Sequence, residues 1–134
     1  ASLLERSHDF GLFVSSSAAT VSSSVIRDTQ PNLAGLFGDG VAVFSLHGPA
    51  TAALHRVSIA HSARAAVASH AGSVSLEASE MTCQAFDLDG ETFEGQAFRF
   101  EDLGGNLCGC PEASAPCRAV SAGLEPPTPM APIE

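Results

Sequence analysis

Apolar residues recur along this chain at a long and regular interval. Leu4, Ile26, Ile59, Met81 and Leu103 stand 22, 33, 22 and 22 residues apart, and the long step equals one repeat plus eleven residues. Other columns keep the same register. Five residues before an anchor stand Val21, Leu54, Leu76 and Phe98, and seven before stand Ala19, Ala52, Val74 and Gln96. Three residues after each anchor the position is polar every time: Ser7, Thr29, Ser62, Gln84 and Asn106. A second apolar pair follows each of the first four anchors, Leu12 and Val14, Val41 and Val43, Ala65 and Val67, Phe86 and Leu88. This is the alternation of a strand with one buried face.

Each repeat therefore reads as short strand, turn, short strand, turn. Such strands cannot stand alone, because each would leave its whole edge unpaired. Stacking equivalent strands closes their hydrogen bonds and builds one continuous core. The predicted fold is all-β, a right-handed parallel β-helix solenoid of about five 22-residue coils, roughly 24 Å long at the usual strand spacing. Leucine-rich repeats share the period but not this Leu and Asn pattern. Helical repeats would need 3.6-residue periodicity and better helix formers than Ser15-Ser16-Ser17 and Ser22-Ser23-Ser24. The polar column is read as a structural ladder, in which Ser7, Thr29, Ser62, Gln84 and Asn106 bond to turn amides.

Stretches such as Gly11-Leu12-Phe13-Val14 with Ala19-Thr20-Val21, and Ala65-Ala66-Val67-Ala68-Ser69 with Gly72-Ser73-Val74-Ser75-Leu76, resemble repeats of the pectate-lyase-like superfamily. More narrowly, they are similar to the right-handed β-helix repeats of large secreted or surface proteins of bacteria. The resemblance spans roughly residues 2–107 and bears on architecture. The superfamily includes polysaccharide lyases, glycoside hydrolases, epimerases and adhesins, so fold alone does not choose among activities.

Three divisions follow from the register. Residues 1–107 are expected to form the coils, with a loop insertion at 30–40; residues 108–124 a cysteine-containing cap; and residues 125–134 a Pro-rich extended or disordered tail. Leu3 and Leu4 have no polar cap ahead of them. The N-terminal end is therefore expected to be covered by upstream coils of the same protein or by a second chain.

Composition narrows the partners. Fifteen acidic residues against six arginines, with no lysine, give a formal charge of −9. That disfavours nucleic acid and anionic membrane surfaces, both of which need clustered cations. No apolar run is long enough to insert in a bilayer as a helix. Cys83, Cys108, Cys110 and Cys117 suggest disulfides and an extracytoplasmic (secreted or cell-surface) setting. A spacing of two is tight for a bond between Cys108 and Cys110, so each should pair elsewhere.

Candidate chemistry is sparse. No catalytic residue is assigned and no cofactor is required, calcium being the one possible ion. Asp87 and Asp89 alternate with Phe86 and Leu88 and would offer calcium oxygen ligands on an outward strand face; a charged, solvated strand face is the commoner explanation. Arg6 and Asp28 fall in one column and would pair between coils. His47, His55, His61 and His70 spread over two coils without a metal motif. Leu33, Leu36, Phe37 and Asp39 of the 30–40 loop are the candidate ligand-binding residues, since loops leaving a solenoid often line its binding face; folding back over the core edge is the equal alternative for Leu36 and Phe37. The leading expectation is a non-catalytic scaffold or binding module that presents a strand face and this loop to a glycan or a protein. The alternative is a fragment of a polysaccharide lyase or glycoside hydrolase whose catalytic coils lie upstream.

Overall fold

The computed structural model describes residues 2–127; the part of the expected tail from residue 128 onward lies outside the described residues. In chain order the strands are β1 Leu3–Glu5, β2 Phe10–Ser15, β3 Ala18–Ser22, β4 Val25–Arg27 and β5 Asp39–Phe44. There follow β6 Thr51–His55, β7 Ser58–Ala60, β8 Ala65–His70, β9 Ser73–Glu77 and β10 Glu80–Thr82. The last are β11 Phe86–Glu91, β12 Arg99–Asp102, β13 Leu107–Cys108 and β14 Ala119–Val120. Among the described residues the only helical element is a 3-10 turn at Pro111–Ala113.

The chain visits three sheets in rotation. One has the order β1-β4-β7-β10-β13, the second β14-β11-β8-β5-β2, and the third β12-β9-β6-β3. Every strand pair is parallel. The protein is thus nearly all β with parallel sheets, and the register explains its short strands: each gains partners from equivalents in neighbouring repeats.

The apolar anchors meet as read for three strands: Ile26 pairs with Ile59, and Ile59 with Met81, all fully buried. Around them pack Val41, Val43, Leu54, Val67, Val74, Leu76 and Leu88. Leu4 pairs with Ile26 but stays part-exposed at the open side of β1. Two glycines let neighbouring turns approach the strands. A Cβ on Gly40 would come within 2.5 Å of Ile59 Cγ2 and 2.8 Å of the Ala66 carbonyl. One on Gly11 would lie 2.6 Å from both Ile26 Cγ2 and the Gly40 carbonyl.

The repeat departs from the expected spacing in two places. Most, though not all, of the eleven surplus residues sit at 30–40. The offset between paired residues is 22 at Leu4–Ile26, 29 at Leu12–Val41 and 33 at Val21–Leu54. Seven extra residues therefore precede β5, and four more lie between β5 and β6. The second departure concerns the last anchor. Met81 pairs with Cys108, not Leu103, which is about half exposed. Likewise Val74 pairs with Phe100, so Gln96 and Phe98 fall outside their expected columns. The cause is a small hairpin after β11, closed by reciprocal backbone bonds between Phe93 and Gln96, which lengthens the path to β12.

That shift also relocates the polar ladder. Asn106 sits two residues before Cys108, in the column of Ser24 and Ser79. In that column Ser2 N donates to Ser24 Oγ, Val57 N to Ser79 Oγ, and Ser79 N to Asn106 Oδ1 at 2.9 Å. In the expected column only Gln84 bonds a neighbouring turn, accepting from Ser62 N at 3.2 Å. Thr29 and Ser62 are buried there, but their hydroxyl oxygens find no partner. For Ser7 the bond to the next turn runs through its carbonyl, which accepts from Gln30 N.

Corners of the path repeat as well. Arg6, Asp28, His61 and Cys83 all have φ between 54° and 57°, and Ser23, Arg56 and Ala78 between 49° and 53°. Such left-handed turns are unusual for residues other than glycine. Arg6 and Asp28 share this column without pairing to each other. The inter-strand ion pair is instead Arg27 with Glu5, Nε to Oε2 at 2.9 Å, as the register of β1 and β4 places them. Arg27, through hydrogen bond and charge, holds the Glu5 carboxyl below its ordinary pKa.

The four cysteines form two disulfides, Cys83–Cys110 and Cys108–Cys117, so Cys108 and Cys110 each pair elsewhere, as their spacing requires.

Candidate functional site

The outward side of the sheet β3-β6-β9-β12 is its accessible face. Parallel pairing lays its residues in rows: Ala18, Thr51, Ser73 and Arg99; then Thr20, Ala53, Ser75 and Glu101; then Ser22, His55 and Glu77. Val74, Leu76, Ala52 and Leu54 alternate with them and point into the core. The first two rows line a shallow groove of about 320 Å³. Its floor is hydroxyls and methyls; Arg99 and Glu101 stand at one edge, 3.4 Å apart, and the His55–Glu77 contact, 2.9 Å, lies in the row beside it. Small side chains in register leave the sheet surface open, with hydroxyls from Thr20, Thr51, Ser73 and Ser75 facing outward from three of the four strands.

The 30–40 loop is anchored from beneath. Asp39, fully buried, receives two bonds from Arg64, Nε to Oδ1 at 2.9 Å and a second guanidinium nitrogen to Oδ2 at 2.6 Å. The Ala65 N–H adds a third at 3.1 Å. The Phe37 ring lies 5.2 Å from the Arg64 guanidinium and 5.4 Å from the Phe10 ring. Of the four candidate loop residues, Asp39 is thus committed to holding the loop, and Phe37 packs inward. Leu36 remains partly exposed and Leu33 completely so. Asn32 holds the bend between them, its Oδ1 accepting from Ala34 N and Leu36 N.

Asp87 and Asp89 do not form the expected exposed pair. Asp89 is fully buried, whereas Asp87 is partly exposed and accepts a bond from Gln84 Nε2. Residues 119–125 cover Asp89 and its neighbour Glu91: Ala122 N donates to Asp89 Oδ1 at 2.8 Å, and Ser121 Oγ donates to Glu91 Oε1 at 2.7 Å. Among the described residues no three His, Cys, Asp or Glu side chains are grouped to hold a metal ion. Nothing in the sequence near β11 signals this cover, because the covering segment lies more than thirty residues downstream.

Burial sets two opposed titrations in this region. Burial first, then the hydrogen bond with Glu91, pushes the Asp89 carboxyl up to about 7, against the pull of the Ala122 N–H. Burial would raise Glu91 too, but bonds from Asp89, Ser121 and the Leu124 and Gly123 amides hold it below its ordinary value. His70, packed edge-on against Phe44 with Nε2 unpartnered, is pushed down to about 4 by burial and by the charge of Arg64. The raised Asp89 stabilises the fold fully below its unfolded pKa of 3.8, and this is lost as pH rises through about 7. The lowered His70 stabilises above its unfolded value of 6.5, and this is lost as pH falls through about 4. The lowered Glu91 acts in the same sense as His70 on the acid side, its contribution fading as pH falls below its ordinary 4.5. The Asp89 and His70 contributions oppose each other over most of the same window. Thermal melts from pH 4 to 7 should therefore show little net dependence from this pair in the native protein. Asp89→Asn removes one side and should melt progressively lower as pH falls toward 4; equal pH profiles for the two proteins would refute the assignment.

Comparison with family models, curated proteins and solved structures returns no match to this chain.

Proposed function

We propose that the chain is a run of coils of a right-handed parallel β-helix, related in architecture to the pectate-lyase-like superfamily, and acts as a non-catalytic binding module of an extracytoplasmic bacterial protein. The 22-residue pairing offset that recurs in two of the sheets, together with the three-sheet rotation, supports the architecture. The two disulfides are consistent with an oxidising compartment. The open side of β1, β2 and β3, where Leu4, Leu12 and Val21 line a cavity of about 370 Å³, suits cover by further coils or by a second chain.

The observation that carries the binding reading is the exposed four-strand face with its rows of Thr, Ser and Ala. Four strands span about 14 Å at sheet spacing, room for a short oligosaccharide. Hydroxyls in register offer donors and acceptors to sugar hydroxyls. The chain's net charge of −9 and the flanking Glu77 and Glu101 favour an uncharged glycan over a uronate. A protein ligand is the second reading, favoured by Leu33 and Leu36, which project from a loop whose root is locked by Asp39 and Arg64.

Calorimetric titration with a panel of neutral oligosaccharides tests the first reading. Binding is expected, and Ala53→Trp, which fills the middle of the groove without entering the core, should weaken it about tenfold or more, equivalent to about 1.4 kcal/mol, at unchanged melting temperature. Binding that survives Ala53→Trp but is lost in Leu33→Ser with Leu36→Ser moves the site to the loop. No binding by any neutral glycan ends the glycan reading.

A further inference from the structure

The outer faces of two sheets are treated oppositely. On β3-β6-β9-β12 the outward residues are largely open. On β5-β8-β11 the outward groups Asp89 and His70 are buried, and across Asp89 and Glu91 lies the chain's own C-terminal segment. After the Cys108–Cys117 bond, β14 adds to the edge of β11, with Ala119 opposite Leu88 and Val120 opposite Asp89. The segment then turns at Gly123, whose φ is +76°. Here Glu91 accepts from Gly123 N at 3.0 Å and Leu124 N at 3.2 Å, and Arg64 donates to the Glu125 carbonyl at 3.2 Å. Pro127 is buried at the end of this path.

Almost every polar contact in this cover reads the backbone. Three consecutive amide N–H groups meet two acidic side chains, one carbonyl meets a guanidinium, and among the described residues Ser121 supplies the only side-chain bond to the pair. A strand added to a sheet edge, with carboxylates clamping a glycine turn, is a peptide-recognition device of the β-augmentation type. The segment also underfills its place. A cavity of about 370 Å³ remains between Gly123 and Leu124 on one side and Phe37, Ala63 and Arg64 on the other. Leu124 lines this space and leaves it open.

We propose that this face is a peptide-binding groove, occupied in cis by residues 119–127, whose partner is an extended, uncharged segment of another protein. That segment carries a hydroxyl residue, a glycine two positions on and a large apolar residue directly after it, the pattern of Ser121, Gly123 and Leu124 with a bulkier final member. The tether to Cys117 holds the cis segment at an effective concentration on the order of millimolar, so the partner binds only when it fills the cavity better or when the cis segment is weakened.

The test uses the full chain with its disulfides intact and a fluorescent synthetic peptide spanning residues 118–127. Gly123→Val weakens the cis segment, because a β-branched residue is strained at positive φ, and leaves the groove itself unchanged. The Gly123→Val protein should bind the peptide about tenfold or more tightly than the native chain does. A peptide with Phe in place of Leu124 should bind tighter still, and one with Val in place of Gly123 should not bind. Adding Glu91→Ala to the Gly123→Val protein should abolish binding. If Gly123→Val fails to fold, Ser121→Ala with Leu124→Ala loosens the cis contact without straining the backbone, and the same ranking is expected. A folded, loosened protein that binds no peptide overturns the proposal. So does its conversion to a dimer, which would mean that the groove exchanges tails between copies and does not receive a foreign segment.

Discussion

Replacing Arg64 with alanine is expected to lower the unfolding free energy by about 3–5 kcal/mol, the usual cost of leaving a buried charge without its partner. Asp39 has no exposed surface and gives both its oxygens to Arg64, so without the guanidinium its charge has neither water nor a cation. On a chain of 134 residues such a loss lowers the melting temperature by on the order of 10–15 °C. Asp39→Ala should cost less. The Arg64 side chain keeps some exposure and can turn toward solvent, leaving mainly the Ala65 amide unsatisfied. Arg64→Lys should recover only part of the loss, since an ammonium cannot reproduce the two-pronged contact. Urea unfolding of the three variants checks this order; a loss below about 1 kcal/mol for Arg64→Ala would show that the pair is solvated and unimportant.

The second large effect concerns Cys83–Cys110. The bond spans 27 residues, against nine for Cys108–Cys117. Cross-link entropy scales with the logarithm of loop length, which gives about 3.6 kcal/mol for the longer loop and about 2.6 for the shorter. The Cys83→Ala, Cys110→Ala double variant should therefore be the less stable of the two disulfide-deleted proteins. Cys108 complicates the shorter bond, because it is also a core residue stacked on Met81. Replacing it with alanine adds a packing loss, so Cys117→Ser with Cys108→Val, which keeps an apolar side chain there, is the fair comparison. Denaturant midpoints with unchanged slopes decide the order. A larger loss for the shorter bond would locate its stabilisation in the tail it anchors and not in chain entropy.

Much of the architecture was legible because a stacked fold repeats its own constraints. Ile26, Ile59 and Met81 recur because each occupies the same place on the core side of a strand. The polar turn residues that recur with them mark where the backbone must change direction. Legibility failed where the spacing changed without a composition change. The hairpin at Phe93–Gln96 adds residues that look like more strand, so Leu103 passed for an anchor while Cys108, read only as a bonding residue, took that place. The same shift moves Asn106 out of the column of Ser62 and Gln84 and into that of Ser24 and Ser79, where it accepts from Ser79 N. In the candidate sites the failures have one cause. Asp89 looks like a surface carboxylate by local alternation and Asp39 like a loop residue open to a ligand, and both are buried by partners distant in sequence, residues 119–125 and Arg64. Hydrophobic periodicity records which side of a strand faces the core. It carries no information about what is later laid over the other side.

The two sides of the three sheets differ in how readily they accept another strand. At the C-terminal side the last strands are blunted: β13 is closed off by reciprocal bonds between Cys108 and Ala115, β14 is two residues long, and β12 carries Arg99, Glu101 and Asp102. Short and charged edges resist further pairing. Across β1, β2 and β3 the opposite edges are bare, with Leu3, Leu4 and Phe13 exposed. Free backbone groups along β1, β2 and β3 thus favour one more parallel strand on that side, whereas the charges and short strands on the other side oppose one.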